Sequence, residues 1–171
     1  LVLGGEPKPA SGNLLLDELL GAHLHWVEAS QRNQRLAQLS VDLQAAGRHP
    51  YKIPVGGSNP LGALGYVLAM FELQEQLKKL SLAVDHILFP TSSGGTQAGL
   101  MLGNKVTVMD SQLVGISIDK DVINHHGLDE QILMLVNRTA DMLNVEDHFT
   151  ADDVILNRNY VYINDYSDLD I

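Results

Sequence analysis

The sequence predicts an α/β fold, a parallel sheet flanked by helices. Short β-type runs and helical periodicity alternate about five times along the chain, with short connections. Two glycine-rich turns, at 56–62 and 91–96, each stand where a strand hands over to a helix. That alternation is the signature of right-handed βαβ units and of a parallel sheet covered on both faces. Ligands on such sheets sit beyond the carboxyl ends of the strands, and both turns lie on that edge.

In order, 1–3 is strand-like, and 4–12, with Pro7 and Pro9, is a loop. Residues 13–20 read as a short helix stopped by Gly21. Residues 22–27 follow as a strand, with His23 and His25 on one face opposite Leu24 and Trp26. Two histidines at i, i+2 fall short of the three or four ligands of a tetrahedral metal site, and a partly polar strand face is the simpler reading. A long helix opens at Glu28 or Ser30 and runs to Ala46, with Leu36, Leu39 and Leu43 on one side. Residues 49–55 read as a strand with Pro50 and Pro54 at its margins. A helix follows over 61–80, apolar at Leu64, Val67, Leu68, Phe71 and Leu77. Then come a strand at 84–89, a helix to about Gly103, a strand at 113–118 and a helix at 129–143. Strands at 154–156 and 160–163 close the pattern.

Composition narrows the function. The 171 residues can bury one sizeable core, and 45% apolar content with 5% aromatic points to aliphatic packing. Eleven Lys and Arg against 21 Asp and Glu leave a net charge of −10, which argues against a nucleic-acid or anionic-membrane surface. With no cysteine there is neither a disulfide framework nor a thiolate nucleophile. No apolar run approaches the ~18 residues of a membrane span, and a cytoplasmic location is expected. Both ends read as cut: the chain opens on a strand-like Leu1-Val2-Leu3 and closes soon after another strand-like run.

The chemistry concentrates in Phe89-Pro90-Thr91-Ser92-Ser93-Gly94-Gly95-Thr96-Gln97-Ala98-Gly99-Leu100. Gly94 and Gly95 permit positive φ and close approach of a ligand to the backbone. Free N–H groups at a helix start, ringed by the hydroxyls of Thr91, Ser92, Ser93 and Thr96, suit an anion, and a phosphate is the natural guest. On its own such a stretch is as readily a plain turn. It matches neither the nucleotide P-loop nor the dinucleotide fingerprint. Ser92 and Ser93 lack the G-x-S-x-G elbow of a hydrolase nucleophile.

Other clusters have structural explanations. His125 and His126 beside Asp129 and Glu130 resemble metal ligands, but acids at a helix start match the macrodipole. Met101, Met109, Met134 and Met142 read as core fillers. Tyr160, Tyr162 and Tyr166 alternate as one polar-tipped strand face.

Three motifs together resemble one family: Gly12-Asn13-Leu14-Leu15-Leu16-Asp17-Glu18-Leu19-Leu20-Gly21-Ala22, then Ile53-Pro54-Val55-Gly56-Gly57-Ser58-Asn59-Pro60-Leu61-Gly62-Ala63-Leu64-Gly65-Tyr66-Val67, then Thr91 to Leu100. Their order and spacing are similar to those of the D-cysteine desulfhydrase and 1-aminocyclopropane-1-carboxylate deaminase group. These are pyridoxal-phosphate enzymes of the tryptophan synthase β-like fold, fold type II. The resemblance runs from about Leu1 to Tyr166, closer to the desulfhydrase at 56–62, and implies a chain incomplete at both ends. It assigns 1–46 to the smaller α/β lobe and 47–171 to the larger, cofactor-phosphate-binding lobe.

The resemblance implies pyridoxal 5′-phosphate as cofactor, with Ser92, Ser93, Gly94, Gly95 and Thr96 cradling its phosphate. It implies that Gly56, Gly57, Ser58 and Asn59 border the cleft, that the substrate is a small amino acid, and that the protein is a homo-oligomer. The family reaction takes D-cysteine to pyruvate, ammonia and sulfide, a lyase chemistry that needs a lysine. In the family that lysine belongs to an Asn-Lys-type motif upstream of the segment this chain resembles, so Asn104-Lys105 is not its counterpart. Lys52 and Lys105 lie nearest the cleft edge in this reading, and neither matches the catalytic position. The expectation is therefore a chain inactive on its own as a lyase. The alternative is a non-catalytic phosphate-ligand-binding or assembly module derived from the same fold.

Overall fold

The computed structural model describes residues 1–7, 9–118, 127–146 and 148–159. They divide into two compact units, Leu1–Ile53 and Pro54–Ile171. The histidines at 125 and 126, the tyrosines at 160, 162 and 166 and the expected strand at 160–163 lie outside the described residues.

The first unit contains β1 (Val2–Gly4), α1 (Gly12–Leu19), β2 (His25–Val27) and α2 (Arg32–Ala45), the last entered through a 3-10 turn at Ala29–Gln31. β1 and β2 pair in parallel, Val2 opposite His25 and Gly4 opposite Val27. Gly21 and Gly47 follow α1 and α2 in the left-handed region, at φ 77° and 76°.

Two strand expectations change here. β2 is three residues long, because β1 offers only three positions to pair with; His23 therefore precedes the strand, and its carbonyl accepts from the Leu1 amine at 2.7 Å. Residues 49–54 form no ladder. Pro50 and Pro54 have no N–H to contribute to one, and the chain instead enters a 3-10 turn at Val55–Gly57. No apolar side chain described in 1–53 is buried.

The second unit holds α3 (Pro60–Leu80), β3 (His86–Thr91), α4 (Gly95–Val106), β4 (Gln112–Ser117), α5 (Leu128–Met142) and β5 (Leu156–Asn157). The three strands form one parallel sheet with β4 central. β3 aligns with β4 from His86 opposite Gln112 to Thr91 opposite Ser117. It runs two residues beyond the expected end and so includes Pro90, which an edge strand tolerates because one side needs no donor.

α3 starts cleanly. Asn59 Oδ1 accepts the Gly62 N–H at 2.7 Å and Pro60 takes the first helical position. Its far end carries Lys78 and Lys79 against the negative pole of the helix. α3 packs on α4 at close range: a Cβ at Gly99 would lie 2.3 Å from the Ala63 carbonyl oxygen, and one at Gly103 2.6 Å from Met70 Cγ. The buried stripe of α3 is accordingly Ala63, Val67 and Met70. Leu68 (67% exposed) and Phe71 (45%), both expected inside, lie outside this stripe.

The core gathers Val67, Ala98, Met101, Leu102, Leu113, Leu128, Ile132, Leu135, Val136 and Ala140. Of the expected methionine fillers, Met101 is buried, whereas Met134 and Met142 are exposed. Thr91 on β3 and Leu113 and Ser117 on β4 are buried; on the opposite face of β3, Leu88 is 65% exposed, so among the described residues the sheet is covered there on one face and not on both. Asp129 and Glu130 occupy the first turn of α5, where the macrodipole favours them. Among the described residues no helix is long and apolar enough to cross a membrane.

Candidate functional site

β3 ends at Thr91, the chain turns through Ser92, Ser93 and Gly94, and α4 begins at Gly95. Gly94 holds φ 82° and ψ −13° at the N-cap, where glycine has no side chain to cap the helix. A Cβ there would stand 2.9 Å from Ile132 Cγ1 of α5, so both conformation and space call for glycine.

A second turn reaches the same place. Gly56 and Gly57 both adopt positive φ. Gly56 passes so near Ser93 that a Cβ would fall 2.2 Å from Ser93 Oγ. Ser58 Oγ accepts the Gly95 N–H at 3.1 Å and donates to Ser93 Oγ at 2.7 Å. Residues 56–58 and 93–95 thus meet around the start of α4. Asn59 contributes differently: its side chain caps its own helix. Ser92 and Thr96 are half-buried beside the turn.

The two turns carry no carboxylate of their own. Residues 43–71 and 86–109 contain none of the chain's 21 carboxylates, and both turns fall inside these two stretches. Thr91 is 3% exposed, and its Oγ1 has no hydrogen-bond partner among the described residues. An orphaned buried hydroxyl at a strand's carboxyl end and a helix start with glycine at its N-cap suit an oxyanion.

Gln97 was not singled out by sequence reasoning. It is fully buried and donates from Nε2 to the Ile155 carbonyl at 3.1 Å, tying α4 to the approach of β5. β4 passes over it closely; a Cβ at Gly115 would meet Gln97 Oε1 at 2.2 Å. Its position in the first turn of α4, inside a glycine-rich motif, was the available signal.

The lysines fall elsewhere. Lys105 lies ten residues into α4, which places it ~15 Å along the helix from the turn, with Nζ 5.1 Å from the Phe149 ring. Lys52 belongs to the first unit, where it helps line a cavity of about 770 Å³ with His23, His25 and Tyr51. Within that unit His25 is held below the ordinary imidazole range by burial, then by Arg35, the N-terminal ammonium and His23. Among the described residues no group of three or more histidine or carboxylate side chains could hold a metal.

A family model described as "pyridoxal-phosphate dependent enzyme" matches residues 6–161. The chain belongs to this family. D-cysteine desulfhydrase of Serratia proteamaculans is 40% identical over 123 residues, which are 71% of this chain and 37% of that enzyme. 1-aminocyclopropane-1-carboxylate deaminase of a Methylobacterium species is 33% identical over 155 residues, 88% of this chain and 45% of the relative. The crystal structure of an ACC deaminase homologue superposes with a TM-score of 0.77 at 30% identity, covering 94% of this chain and 46% of the other. The chain thus spans less than half the length of these relatives, and its parallel sheets with flanking helices are those of fold type II.

Proposed function

We propose that these residues supply the cofactor-phosphate site of a pyridoxal-phosphate lyase of the D-cysteine desulfhydrase type. In this reading Ser92, Ser93, Gly94, Gly95 and Thr96 hold the phosphate, and Gly56, Gly57, Ser58 and Asn59 border the cleft beside it. The observation that carries it is the meeting of two glycine turns at an α4 start whose N-cap is glycine and whose first N–H is met by Ser58. Backbone N–H groups there point outward and the helix dipole adds positive potential. The residues fit the group: the buried Thr91 Oγ1 at the strand end has no hydrogen-bond partner among the described residues, and the Gly95 N–H has a neutral hydroxyl as its partner.

Once bound, the cofactor supplies an electron sink for cleavage at the carbon bearing the amino group. This chain's own part is to fix the phosphate and so the orientation of the ring. The proposed reaction takes D-cysteine to pyruvate, ammonia and sulfide. The curated relatives named D-cysteine desulfhydrase support this choice of substrate. A lysine suited to the chemistry is missing from the turn, since Lys105 stands at the other end of α4. The 171 residues alone are therefore expected to bind the phosphate without turning over D-cysteine.

Calorimetric titration of the chain tests this directly. Pyridoxal phosphate is expected to bind at one saturable site, while pyridoxal, lacking the phosphate, gives no measurable heat at the same concentrations. Equal binding of the two would remove the phosphate site from the reading. Sulfide release from D-cysteine above the rate with free cofactor would overturn the expected lack of turnover.

A further inference from the structure

We infer that Ser58 is itself a phosphate contact, delivered from the 54–59 turn onto the first helical N–H of α4, and that it makes the site select phosphorylated ligands. This rests on the phosphate reading above and adds a residue to it. The geometry gives Ser58 an uncommon place: it caps a helix from outside that helix's own turn. Its Oγ accepts the Gly95 N–H at 3.1 Å while its O–H points to Ser93 Oγ at 2.7 Å.

A serine hydroxyl offers one donor and two acceptor lone pairs. A phosphate oxygen is a stronger acceptor for the Gly95 N–H than a neutral hydroxyl, because the bond becomes charge-assisted. Once a phosphate oxygen takes that N–H, the Ser58 O–H turns from Ser93 Oγ to donate to the same anion. The hydroxyl thus exchanges one partner for another without leaving the site.

The turn that carries Ser58 is well held. The Gly57 N–H donates to the Pro54 carbonyl at 2.9 Å, and the Asn59 N–H donates to the Gly57 carbonyl at 2.9 Å. Behind it, a Cβ at Gly62 would lie 2.1 Å from the Gly57 oxygen, so the turn is pressed onto the start of α3. In front, Gly95 comes within contact of Ser58, where a Cβ would stand 2.6 Å from Oγ. The hydroxyl is therefore positioned before any ligand arrives, which lowers the ordering cost of binding.

The test uses amide spectra of the whole chain, titrated with 4-deoxypyridoxine 5′-phosphate. This probe carries the ring and phosphate but no aldehyde, so it cannot label lysines. The Gly94 and Gly95 amides are expected to shift saturably. Ser58→Ala is expected to weaken the phosphate probe about tenfold, the loss of one hydrogen bond to a charged group. Ser58→Thr, which keeps a hydroxyl, is expected to restore most of it. Unphosphorylated 4-deoxypyridoxine should show no difference between wild type and Ser58→Ala, a pattern that a purely structural role for Ser58 does not produce.

If Ser58→Ala binds the phosphate probe as tightly as wild type while Gly94 and Gly95 still shift, the Ser58 inference fails and the phosphate reading stands. If those amides do not move in wild type, the phosphate reading fails and the inference with it. Should Ser58→Ala not fold, Ser58→Cys keeps the volume with a much weaker donor; a loss of affinity supports the inference and unchanged affinity overturns it.

Discussion

Gly94 shows how one position can serve backbone, core and site together. Its φ of 82° is costly for any side chain, and its missing Cβ leaves room for Ile132 of α5. Gly94→Ala is therefore expected to destabilise the fold by about 1–3 kcal/mol, from the strained φ and the displaced isoleucine. Urea unfolding followed by circular dichroism measures it, and an unchanged midpoint would show that the turn tolerates a Cβ. Ser58 is legible only partly at this scale. The residue stands in a conspicuous Gly-Gly-Ser-Asn string, yet its partners, Ser93 and Gly95, are more than 30 residues away.

Between elements, the α3–α4 contact decides how the second turn is presented. Gly99 and Gly103 occupy one face of α4, and α3 lies closely against them. The two glycines differ in what they touch. A Cβ at Gly99 meets the backbone oxygen of Ala63, which cannot yield, whereas one at Gly103 meets the flexible Met70 side chain. Gly99→Ala is thus expected to cost about 3 kcal/mol and Gly103→Ala about 1–2 kcal/mol. Met70→Ala by itself removes a fully buried side chain, so it is the reference for the double variants. Measured against it, Gly103→Ala is expected to cost less than in wild type and Gly99→Ala the same, a coupling that thermal denaturation of the five variants would show. Equal coupling at both sites would mean that the helices move apart as a unit.

Across the whole molecule, apolar burial is uneven. Residues 63–140 supply every buried apolar side chain described, and 1–53 supply none. Regions with little buried apolar surface open at low free energy. Amides of α2 are accordingly expected to exchange with solvent faster than those of α4 and α5 by at least about tenfold, since a difference of 1.4 kcal/mol in opening is enough for that factor. Hydrogen-exchange mass spectrometry resolves these helices. Matching protection in α2 and α4 would show that burial is a poor guide to local stability here.

The sequence by itself determined the class of the fold, the order of its helices and the location of both glycine turns. Periodicity, Asn59-Pro60 at one helix start and Gly21 and Gly47 beyond two helix ends are local signals, written in residues a few positions apart. It also carried the family, through three motifs in order. What it misjudged depended on partners distant in the chain. The stretch 49–54 has strand-like residues but no neighbouring strand to pair with, and β2 is cut to the length of β1. Leu68 and Phe71 follow helical spacing, yet which face of α3 is buried is set by Gly99 and Gly103 on α4. Only the tertiary structure brings Ser58 to the start of α4, because that hydrogen bond spans 37 residues and no local pattern encodes its geometry.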